Sequence, residues 1–83
     1  MAELTFKITQ HIGDLGENAR GWTRELNLVS WNDREPKYDL RDWSPDHSRM
    51  GKGLTMTADE LVALRDILND LDLDSFEDDE FDV

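Results

Sequence analysis

Chemistry needs side chains that can be brought together, and the stretch KYDLRDW at residues 37–43 does this by parity alone. In an extended chain Lys37, Asp39, Arg41 and Trp43 fall on one side, with Tyr38, Leu40 and Asp42 on the other. Same-side neighbours are then about 6.5–7 Å apart. Two cations and an indole at that pitch suit a single nucleic-acid strand, whose bases stack on aromatic faces while cations meet phosphates. Duplex DNA fits poorly, because its bases are already stacked on one another. Trp31 joins this face if Leu26 and Leu28 face the core, and Arg24 and Lys52 are further candidates for phosphate contact. Which of Trp22 and Trp31 faces a ligand depends on the register of their strand. The competing reading makes both tryptophans core and the cations solubilising surface.

Other chemistry finds less support. Gly51-Lys52-Gly53 is too short for a phosphate-binding loop and does not link a strand to a helix as a Walker motif does. Asp39, Asp42, Asp46 and His47 suggest a metal-dependent nuclease, but strand parity separates Asp39 from Asp42. The two histidines, His11 and His47, lie far apart in sequence and need carboxylates to form any metal site. No serine has a nearby His and Asp in a nucleophile arrangement, and no paired carboxylates sit in an apolar setting. The chain has no cysteine, which removes disulfides and thiolate metal sites. A non-enzymatic protein without a cofactor is expected.

The charge is unevenly distributed. The formal net charge is −11, yet residues 70–83 hold eight acids and no base. The remainder has 12 acids against 9 bases, and between Arg20 and Lys52 seven bases face six acids. A body near neutrality thus carries an acidic end, DSFEDDEFDV, too charged to build a core. That end reads as a solubilising tail, as a mimic of single-stranded DNA with Phe76 and Phe81 standing for bases, or as a recruiter of a protein partner. An acidic adaptor acting through this tail is the alternative to a nucleic-acid binder. No apolar run approaches the roughly 20 residues of a membrane span, and no basic-then-apolar leader precedes the first strand. A soluble, cytoplasmic location is expected, compatible with nucleoid association.

The elements that must position these residues follow from periodicity. LTFKITQHI, residues 4–12, alternates with Leu4, Phe6, Ile8 and Ile12 on one face, and Gly13 to Asn18 is turn material. A second extended run covers Gly21 to Trp31, KYDLRDW is the third strand, and Leu54 to Met56 form a short fourth. Thr57-Ala58-Asp59-Glu60 is a capping box, followed by Leu61, Leu64, Leu68 and Leu71 on one stripe of a helix, widened by Ile67. That stripe either packs on the sheet or forms a helix–helix dimer seam. The fold class is α+β: an antiparallel four-stranded meander with a C-terminal helix on one face. Residues 1–72 are the domain and 73–83 the tail. Eighty-three residues bury only about 60% of the unfolded surface, so self-association is expected to add stability.

With these residues in view, the run from Glu17 to Leu61 resembles the bacterial YdbC family, which is similar to the DNA-binding domain of the eukaryotic transcriptional coactivator positive cofactor four. The likeness covers roughly residues 4–72. Its most specific parts are VSWN at 29–32, PKYDLR-x-W-SPD at 36–46 and MGKG at 50–53. The resemblance implies a homodimer of curved four-stranded sheets, with the helices forming much of the interface through Leu61, Leu64, Leu68 and Leu71. It implies concave surfaces that bind single-stranded DNA with little sequence preference. Arg41 matches the DNA-contacting arginine of the coactivator's D-I-R strand, Lys52 matches a lysine of its R-K-G element, and Trp43 falls in the aromatic pair ending that strand. Lys37, Trp31 and Arg24 match within the bacterial family alone. The coactivator's lysine-rich hairpin is replaced by the nearly neutral Asn32-Asp33-Arg34-Glu35.

Overall fold

A computed structural model describes residues 4–73 as four strands and one helix. The strands are β1 (Phe6–Glu17), β2 (Thr23–Trp31), β3 (Lys37–Trp43) and β4 (Met50–Met56), and the helix is α1 (Ala58–Asp70). They form one antiparallel sheet in the order β1-β2-β3-β4. Residues 74–83, which are the acidic tail apart from Leu73, lie outside the described residues.

Short connections fix the meander. Between β1 and β2 the Asn18 side chain accepts from the backbone N–H of Arg20 and Trp22 at 2.9 and 3.0 Å, and Gly21 takes φ 83°. Between β2 and β3, Asn32 and Asp33 both have positive φ (53° and 63°), and the Arg34 N–H donates to the Trp31 carbonyl at 3.0 Å. Such a turn matches the right-handed twist of the strands it joins. Between β3 and β4, Asp46 Oδ1 accepts from Ser44 Oγ, Ser48 N and Ser48 Oγ at 3.0, 3.0 and 2.7 Å, and His47 turns the chain with φ 60°. These three bonds hold the Asp46 carboxyl down to a pKa of about 2, with the Ser48 backbone bond the largest cause.

The second and third strands follow their alternation without interruption, pairing Leu26 with Leu40 and Asn27 with Asp39. The first strand departs from the sequence reading. Gly13 to Glu17 continue the strand instead of turning, and shifts of register fall between Ile8 and Gln10, His11 and Gly13, and Asp14 and Gly16. Each extra residue reverses the parity, which is what β-bulges do. His11 therefore pairs with Asn27 on the face that carries Phe6 and Ile8, where simple alternation put it on the opposite one. The fourth strand begins at Met50, four residues earlier than expected, and has its own bulge opposite Asp42.

Thr57 caps the helix as the sequence indicates. Its hydroxyl accepts from the Glu60 N–H at 3.1 Å, and the Glu60 carboxylate accepts from the Thr57 N–H at 2.9 Å. The helix buries no residue. With Leu15, Leu26, Tyr38, Leu40 and Met56 of the sheet side, its Leu61, Leu64 and Leu68 line an open apolar cleft of about 630 Å³. The best-packed layer is on the other face, where Val29 and Trp43 are fully buried beside Asn27, Asp39 and Glu25.

Candidate nucleic-acid interface

Strict alternation in β2 and β3 puts Trp31, Lys37, Asp39, Arg41 and Trp43 on the sheet face away from the helix. Arg41 is the centre of this face. Its Nε and Nη2 donate to the two carboxylate oxygens of Asp39 at 2.7 and 2.8 Å, and Thr55 Oγ1 donates to the same carboxylate at 3.2 Å. Arg41 Nη1 donates to the Gly51 carbonyl at 3.3 Å, and the guanidinium lies 4.8 Å from the Trp31 ring centre. Asp39, fully buried, thus holds the guanidinium over the indole through a two-pronged ion pair. Gly53 makes this arrangement possible. A Cβ at residue 53 would collide with the Arg41 Cβ and stand 2.6 Å from the Leu40 carbonyl oxygen and 2.7 Å from Arg41 Nε.

Aromatic rings continue the row. Phe6 stands 6.1 Å from Trp31 and 5.2 Å from Trp43, and the His47 ring stacks on Trp43 at 5.5 Å. Trp43 is fully buried under these partners and cannot be the open platform expected of it; the rings of this row that keep exposed surface are Phe6, Trp31 and His47. Neither Phe6 nor His47 was identified from sequence. Phe6 sits at the far end of the chain, and the loop geometry that swings His47 back over β3 leaves no periodic signal. The indole Nε1 atoms of Trp31 and Trp43 are the buried side-chain polar atoms without a hydrogen-bond partner among the described residues.

The cations divide between faces and rims. Lys37 is exposed at the start of β3, and Lys52 is exposed within the β4 bulge. Arg24 does not join them. It shares parity with Leu26 and Leu28 on the helix side, where Nε and Nη2 donate to Asp42 at 2.8 and 3.3 Å. That hydrogen-bonded pair raises the Arg24 pKa and lowers the Asp42 pKa. Arg20 lies 4.6 Å from the Trp22 ring, away from Trp31.

At the β1 side of the same face the two histidines, distant in sequence, converge on one carboxylate. His47 Nε2 donates to Glu25 at 2.8 Å, Asn27 Nδ2 donates to Glu25 at 3.1 Å, and Asn27 Oδ1 contacts His11 Nδ1 at 2.7 Å. Asp14 Oδ1 lies 3.1 Å from His11 Nε2.

The chain is thus a small α+β protein: an antiparallel four-stranded meander with one helix on one face and an arginine over a tryptophan on the other. The chain belongs to the family described as Transcriptional Coactivator p15 (PC4), whose model matches residues 18–67. It is also 51% identical over 71 residues to a protein of Treponema pallidum (strain Nichols) described as uncharacterized, an alignment spanning 86% of this chain and 84% of that one. The PC4 family is nucleic-acid-binding and non-enzymatic. Among the described residues no helix is long and apolar enough to cross a membrane.

Proposed function

We propose that this protein is a homodimer that binds single-stranded DNA with little sequence preference through the face carrying Phe6, Trp31 and Arg41. The observation that carries this reading is the placement of Arg41 over Trp31 beside Phe6, on the sheet face away from α1. Trp31 and Phe6 take bases, because any base has a face to stack and the platform reads no edge. Lys37 and Lys52 at the rims take phosphates, and Arg41, already neutralised by Asp39, serves to hold the Trp31 ring in place.

The test is a fluorescence titration with oligo-dT at low salt. Trp31 emission should quench on binding, with an affinity that falls as salt rises. No quench and no binding at low salt would overturn this reading in favour of an acidic adaptor acting through its tail. Oligo-U run alongside separates DNA from RNA preference, which would require a group that reads the 2′-hydroxyl.

A further inference from the structure

Glu25 is a carboxylate with only 5% of its side chain exposed, and among the described residues no lysine or arginine pairs with it or with Asp14. Burying a carboxylate without a cation is costly. The nearby nitrogens belong to His11, His47 and Asn27, and their hydrogen bonds can be assigned by elimination. The Glu25 carboxylate can only accept, so Asn27 must present its Nδ2 to it at 3.1 Å. Asn27 Oδ1 is then the atom facing His11, and the 2.7 Å contact requires His11 Nδ1 to carry the hydrogen. A neutral His11 fixed this way has a lone pair on Nε2. That lone pair faces Asp14 Oδ1 at 3.1 Å, an acceptor against an acceptor.

Two acceptors at that distance share a cation, either a proton on Nε2 or a metal ion. A ring nitrogen whose partner nitrogen donates to a fixed amide or carboxylate is the usual condition of a histidine that ligates metal. The separation of 3.1 Å is that of neighbouring ligands on one ion at about 2.0–2.2 Å each. Glu25 can offer a third oxygen: its Oε1 stands 3.6 Å from His11 Nδ1, and ligand atoms of His11, Asp14 and Glu25 all lie within 4.8 Å of one another. A cavity of about 500 Å³, lined also by Ile8, Thr23, Asn27 and His47, leaves room for water to complete the coordination.

We propose that His11, Asp14 and Glu25 form a site for one divalent first-row transition ion, of the imidazole-and-carboxylate type taken by Zn²⁺ or Co²⁺. Magnesium and calcium are disfavoured because they select oxygen ligands alone. Asn27 orients His11 from behind. The ion removes negative charge from the same sheet face that holds Trp31 and Arg41.

Cobalt is the probe, added to the full-length chain and followed by visible absorption and by NMR of the histidine ring protons. One Co²⁺ per chain should bind, with the His11 ring signals shifted or broadened first. His11→Gln and, separately, Asp14→Asn should each weaken binding at least tenfold while leaving the amide NMR spectrum dispersed, because both side chains are more than half exposed. Cobalt binding that is unchanged in His11→Gln would place the ion elsewhere and overturn the site. So would a protein that binds no cobalt and whose His11 simply titrates, with a proton as the cation shared with Asp14. The measurement uses no nucleic acid, so it stands or falls apart from the reading of DNA binding.

Discussion

At the scale of single residues, the open face separates groups that build it from groups free to bind. Trp43 and Asp39 are fully buried and Arg41 keeps 14% of its side chain exposed, whereas Lys37 is exposed and Trp31 partly so. Trp43→Ala therefore acts on stability, by about 3–5 kcal/mol as a large core deletion, seen as a lowered midpoint in urea denaturation. Trp31→Ala acts on binding, costing about 1–3 kcal/mol of oligo-dT affinity. If Trp31→Ala binds like the parent protein, the stacking platform is elsewhere. Lys37→Ala should flatten the plot of log affinity against log salt by about 0.7, one phosphate contact on a single strand. Arg41→Ala behaves differently: it leaves the Asp39 charge buried and unpaired, which costs about 3–5 kcal/mol of folding stability. The alternation of KYDLRDW made Arg41 and Lys37 legible in sequence, since parity decides which side a residue takes. The burial of Trp43 was not legible, because its covers, Phe6 and His47, come from 37 residues before it and from a loop after it.

At the scale of elements, legibility tracks how local each determinant is. The capping box needs Thr57 and Glu60 alone, and both bonds form. The second and third strands keep one parity throughout, so their faces follow from counting. The first strand cannot be counted, because its three register shifts depend on where β2 accepts or skips a residue. Gly13 and Gly16, which look like turn residues, pair with Leu26 and Arg24 beside those shifts. The β3–β4 loop yields an element-scale prediction. The fold holds the Asp46 carboxyl at about 2 against an ordinary 3.8, so it favours the ionised form. Its contribution is complete above 3.8 and is lost as pH falls from there through about 2. Thermal midpoints of the parent and Asp46→Asn should differ at pH 6 and converge as pH approaches 2. A constant difference across that window would show that the loop owes nothing to the Asp46 charge.

At the scale of the whole molecule, a single chain closes a core on one face of the sheet and leaves its helix side open. Its radius of gyration is 15.3 Å, against about 11–12 Å for a compact chain of this length. On the helix side Leu64, Leu68 and Leu71 are 37–44% exposed and Val62 and Ile67 are 45% and 63% exposed, over a cleft that Leu26, Leu40 and Tyr38 leave open. Apolar surface on this scale is not left to water in a stable monomer. The proposed homodimer would cover it: helices of two chains laid against each other's cleft would bury both stripes at once, on the side of the sheet away from Trp31 and Arg41. At about 25 cal/mol per Å², covering even a few hundred Å² per chain contributes several kcal/mol, comparable with the net stability of a small domain. Light scattering should give twice the 9.7 kDa chain mass, and the thermal midpoint should rise with protein concentration. Leu64→Asp or Leu68→Asp places a charge in the seam. Each should drop the mass to one chain and lower the midpoint, and oligo-dT affinity should fall with it, since a strand could then no longer engage two faces together. A parent protein that runs at 9.7 kDa with a concentration-independent midpoint would leave the cleft to some other occupant and remove the dimer from the account of binding.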